Sequence, residues 1–82
     1  MRLQLGFQEY AGTPEEIVDI LKSEYFHKDR FIILDEFIAH FAQTIFKFTG
    51  HAIDIGEGAT TDKCRKLLKG MDSINLARII EE

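Results

Sequence analysis

A chain of 82 residues with 45% hydrophobic side chains, seven Phe and no Trp carries the apolar material of a single domain spanning residues 1–82, although folding at this size hides only about 60% of the unfolded surface. One Pro and no low-complexity run argue against disorder, and a net charge of −4 argues against wholesale wrapping of nucleic acid. The lone cysteine excludes an intrachain disulfide and a cysteine-based zinc site, and no run of about 18 apolar residues offers a membrane span.

Arg2 to Tyr10 alternates, with Leu3, Leu5 and Phe7 on one side and Arg2, Gln4 and Gln8 on the other, which predicts one strand with a wet face. Gln4, Gln8 and Glu9 break up the apolar residues, so no signal-peptide core is read here. A free thiol at Cys64 suits a reducing compartment, and the expected location is cytoplasmic. Gly12 ends the strand. Thr13-Pro14-Glu15-Glu16 then reads as a complete helix start, with Thr13 as cap, Pro14 at the first helical position and Glu16 closing a capping box. Ile17, Val18, Leu21 and Tyr25 form the stripe of this helix, predicted to run to Phe26.

Asp29 is the expected cap of a long helix from Arg30 to Phe48. Leu34, Phe37, Ile38, Phe41, Ile45 and Phe48 share one face of it, widened by Phe31, Ala42 and Phe46. So broad an arc predicts the central, most buried helix. The competing assignments are a strand over Phe31–Leu34 or a hairpin about Thr49-Gly50. The sustained helical period favours the helix, with Gly50 as its left-handed stop. His51 to Ile55 then reads as a second strand pairing with the first. Thr60 or Thr61 caps a helix with Cys64, Leu67, Leu68 and Met71 as its stripe, broken at Gly70. Asp72 or Ser73 caps a last helix carrying Leu76, Ala77, Ile79 and Ile80. The predicted fold is α+β and predominantly helical, a small β-α-α-β-α-α domain with a two-stranded ribbon and a central long helix.

Asp54-Ile55-Gly56-Glu57-Gly58 resembles the glycine loop of S-adenosylmethionine-dependent methyltransferases and, more loosely, a dinucleotide fingerprint. The resemblance spans a handful of residues and implies a nucleotide cofactor. Against it, Thr61 stands where a third glycine belongs, Glu57 places an anion beside a phosphate, and no Lys-Ser/Thr pair follows. Two predicted strands also cannot build the parallel sheet such sites need. The residues themselves predict a flexible connector and no cofactor. Glu36 and His40, four apart on a helix, with His51 and Asp54 beyond, lack the spacing of metal sites, so no metal is expected. Cys64 lies inside an apolar stripe and reads as a small buried hydrophobe. With no nucleophile motif and no catalytic carboxylate pair, the chain is expected not to be an enzyme.

Charge supplies the remaining signal. Five Lys/Arg face ten Asp/Glu in residues 1–59, but five face four in residues 60–82. Lys63, Arg65, Lys66 and Lys69 all fall on the arc left free by the stripe and are the predicted partner-binding residues. The helical pair over residues 61–80 has the outline of a helix-turn-helix, yet its second helix, the one that reads bases in such motifs, carries few suitable side chains. The expected function is therefore a small non-catalytic accessory or regulatory protein that binds another protein, of the kind common in phages and mobile elements. A nucleic-acid-associated regulator using residues 61–71 is the alternative. The wide apolar arc, with Phe46 and Ile32 at its margins, predicts a homodimer.

Overall fold

Leu3 and Leu5 alternate with Arg2 and Gln4 as predicted, but the strand stops at Leu5. In the computed structural model, which describes residues 1–25 and 33–82, β1 (Arg2–Leu5) and β2 (Gln8–Ala11) form an antiparallel hairpin. Gly6 and Phe7 are the turn, with Gly6 at φ 62°. Glycine at the first central position is what a type II′ hairpin turn requires, and such turns match the strand twist. Phe7, expected beside Leu3 and Leu5, is instead fully exposed at the tip.

The capping box forms as read. The Thr13 N–H donates to Glu16 Oε1 at 3.0 Å, and the Glu16 N–H donates to Thr13 Oγ1 at 3.2 Å. Together they start α1 (Pro14–Tyr25). Ile17, Val18 and Leu21 are fully buried, and the hydroxyl of buried Tyr10 donates to Glu24, fastening β2 to α1. The side chain of Tyr25 and the predicted helix end at Phe26 lie outside the described residues, as do Asp29, Arg30, Phe31 and Ile32.

The long helix, α2 (Leu34–Thr49), begins later than predicted, because Ile33 before it is extended at φ −107° and ψ 134°. Its stop is the predicted one: Gly50 is left-handed at φ 76° and its N–H returns to the Phe46 carbonyl at 2.8 Å. Phe37, Ile38, Phe41 and Ile45 are buried, whereas Phe48, placed on that face by its spacing, is 86% exposed.

The most deeply buried helix is α3 (Thr60–Ser73), not α2. Cys64, Leu67, Leu68 and Met71 are each completely buried, and α3 packs against α1, α2 and the third strand. Two further corrections concern its ends. Its cap position is Ala59, with no side-chain cap, in place of Thr60 or Thr61. The helix also runs through Gly70. It ends where Asn75 adopts a left-handed φ of 63°, with the Asn75 N–H on the Asp72 carbonyl and the Leu76 N–H on the Met71 carbonyl. That double closure is a Schellman motif, with asparagine in the usual glycine place. It turns the chain, so the predicted last helix is replaced by β3 (Arg78–Glu81).

β3 pairs antiparallel with β1, setting Leu3 opposite Ile79, and completes a three-stranded sheet of order β2-β1-β3. The class is α+β and mostly helical as predicted, with the order β-β-α-α-α-β. His51 to Ile55 is not a strand. It begins an extended strap that runs back along α3: Ile53 lies over Gly70, Gly56 beside Lys66, and Gly58 beside Asp62. Those helix positions are four residues apart, hence one face, and Ile53 and Ile55 pack from the strap onto the core.

Candidate functional site

The start of α3 is where the three helices are tied together. Thr60 Oγ1 donates to Asp35 Oδ1 of α2 at 2.7 Å, Lys63 Nζ reaches Asp35 Oδ2 at 3.4 Å, and Thr61 Oγ1 donates to Glu15 of α1. At the far end Phe41, Ile45 and Phe48 of α2 lie beside Met71 and Leu76, so α2 and α3 run in the same direction. The positive end of the α3 dipole therefore meets two of the chain's own carboxylates, where a phosphate-binding loop would present it to a ligand. The Gly56 N–H is turned onto Asp54 Oδ1 at 2.9 Å. Gly56 adopts a left-handed φ of 70°, and Gly58 lies close beside Asp62 of the helix.

These contacts set the titration of the region. The Thr60 hydrogen bond, followed by Lys63, holds the Asp35 carboxyl below the ordinary range. The Thr13 N–H, followed by its hydroxyl, does the same for Glu16. With folded-state values below unfolded ones, both carboxylates stabilise the fold fully above the ordinary carboxylate value of about pH 4. That contribution is lost as pH falls through the lowered values. The acid limb of thermal stability against pH should therefore be shallower in Thr60→Ala, which removes the first cause at Asp35, than in wild type, whereas Thr13→Ala keeps the backbone N–H that does most for Glu16. An unchanged limb would refute the assignment. Cys64 is the opposite case: burial, then Glu15 and Asp35, push its thiol up to about 11, which keeps it protonated and unreactive.

The four predicted basic residues do not form one outward patch. Lys63 is half-buried and spent on Asp35, and Lys69 pairs with Glu82 at 3.3 Å. Arg65 and Lys69 line an open groove of about 660 Å³ that also holds Glu16 and Glu82, so its charge is mixed. Lys66 lies along the strap with its ammonium beside Gly56. Of these four, Arg65 and Lys66 have no carboxylate of the described residues within ion-pair distance. Comparison with protein-family models, curated proteins and solved structures returned no match. Among the described residues no three His, Cys, Asp or Glu side chains converge as a metal site, and no helix is long and apolar enough to cross a membrane.

The surface that stands out physically is apolar and lies on α2. Phe46, 53% exposed, borders a recess of about 300 Å³ formed with Ala42, Lys47, Ala52 and Ile53. Phe48, on the other side of the helix, borders a second recess of about 290 Å³. The helical period brings both into view in the sequence, Phe46 as a margin of the arc and Phe48 as part of it. Neither recess is legible there, because the strap and the sheet supply their other walls.

Proposed function

We propose that this chain is a small non-catalytic accessory or regulatory protein of the cytoplasm, working as a homodimer and acting by binding another protein. The observation that carries the reading is Phe46 standing in water beside an apolar recess, since exposed apolar patches on small folded chains mark interaction surfaces. The recess is continuous with the basic helix through the strap: Ile53 lines it and covers Gly70, and Gly56 further along lies beside Lys66. Lys47 borders the recess and Lys66 the strap beyond it, which suits a partner presenting apolar and acidic side chains.

The test is affinity capture of the partner by wild type, by Phe46→Ser and by Lys66→Glu/Lys69→Glu. Both variants should fold, with stability moved by only about half a kcal/mol for exposed changes, and both should lose most of the captured partner. Undiminished capture by both would remove this face from the proposal. The alternative, a nucleic-acid-associated regulator using residues 61–71, predicts tight retention on DNA with a steep salt slope. With Lys63 and Lys69 already paired, few phosphates could be neutralised, so weak and shallow retention is expected.

A further inference from the structure

We infer that two copies of this chain associate through the end where the β1–β2 turn meets the C-terminal end of α2, each copy inserting Phe7 into the apolar recess of the other. The inference rests on the homodimer reading and names the surface that would make it. The recess of about 290 Å³ is walled by Leu5, Ile45, Met71 and Leu76, with Phe48 at its rim. A cavity of about 150 Å³ already accepts a benzene ring, so one phenylalanine ring fits with room to enter. Its polar lining is two hydroxyls already engaged within α2: Thr44 donates to the His40 carbonyl at 2.9 Å and Thr49 to the Ile45 carbonyl at 2.7 Å. Filling the recess therefore strands no hydrogen-bonding group.

The knob and the recess belong to the same end of one chain. Leu5 walls the recess, and Phe7, fully exposed, sits in the turn that follows it. In a two-fold contact the same patch appears on both sides, so a knob beside its own recess is satisfied twice by one rotation. Charge favours a second copy here as well. The chain carries a net −4, yet no charged side chain lines this recess, so the ring of a second copy enters it without burying a charge. Phe7 and Phe48 together offer about 300–400 Å² of largely exposed apolar surface, close to half of the about 800 Å² per partner in a stable interface. The hairpin turn and the α3–β3 turn at the same end supply further area.

The experiment is light scattering at high micromolar concentration on wild type, Phe7→Ser, Phe48→Ser and Phe46→Ser, with circular dichroism as the check on folding. Wild type should be a dimer, the first two variants should dissociate at least ten-fold more readily, and Phe46→Ser should match wild type. A second measurement mixes Phe7→Cys chains with Phe48→Cys chains under mild oxidation. Each mixed pair keeps one intact knob, and a 7-to-48 intermolecular disulfide should accumulate, while buried Cys64 stays silent. A monomeric wild type would overturn both this inference and the homodimer reading. A dimer that survives Phe7→Ser and Phe48→Ser, or that forms no 7-to-48 cross-link, would overturn this inference and leave the homodimer reading standing.

Discussion

Phe37→Ala is expected to destabilise the protein by about 3–5 kcal/mol, the range for removing a buried aromatic side chain. Phe37 is completely buried, and its ring stacks on Phe41 with centroids 5.2 Å apart and planes 17° from parallel. Deleting it removes that contact and leaves a void in the core that fixed helix backbones cannot fill. A domain of this length has a total stability of roughly 4–12 kcal/mol, so the loss is a large share of it and the variant should unfold at a markedly lower urea concentration than wild type. Phe41→Ala should cost less, because Phe41 is 8% exposed and borders the recess beside Phe48. Urea unfolding of both variants decides it. A Phe37→Ala cost near the ordinary surface value of about half a kcal/mol would show that the helical phase of α2 is wrong.

Gly70→Ala should be the second large effect, and its sign runs against helix propensity. An alanine in mid-helix is ordinarily about 1 kcal/mol better than glycine. At this position, however, a Cβ would stand 2.5 Å from Ile53 Cγ2 and 3.2 Å from Cγ1. Ile53 is β-branched and stiff at χ1, so the strap must lift off α3 or the helix must shift. Overpacking of this kind costs about 1–3 kcal/mol, which leaves Gly70→Ala destabilising on balance. Gly70→Val should be worse, since two further methyl groups enter the same space. The double variant Gly70→Ala/Ile53→Ala separates the causes. Relief of the clash should make Gly70→Ala neutral or stabilising in that background, a coupling readable in a double-mutant cycle. Equal effects in both backgrounds would mean that the strap does not rest on Gly70.

The same pair shows what sequence alone can and cannot say. A glycine inside a helical stripe has the local signature of a break, and Gly70 is read as one from its neighbours. Its actual reason is Ile53, seventeen positions earlier, arriving over the helix face. Lys63 is similar. Its place opposite the stripe predicts exposure, but Asp35, far away in the chain, draws it into an ion pair. Phe7 follows Leu3 and Leu5 in strict alternation, and only the hairpin turn at Gly6 takes it off that face.

What the sequence by itself determined are the features settled within a turn or two of the chain. The Thr13–Glu16 capping box, the left-handed Gly50, and the stripes of Ile17, Val18 and Leu21 and of Cys64, Leu67, Leu68 and Met71 all stand as read. Their energetics are local: a side chain reaches a backbone group three residues away, or a period of 3.6 gathers apolar residues on one side. Only the tertiary structure decided that Arg78–Glu81 is a strand, because its partner is β1 at the opposite end of the chain. Leu76 to Ile80 is apolar enough for either helix or strand. The left-handed Asn75 redirects the chain, and pairing with β1 satisfies the backbone that the helix would otherwise have satisfied within itself. Where local preference is nearly balanced, long-range hydrogen bonds and burial choose the element, and a single sequence does not display them.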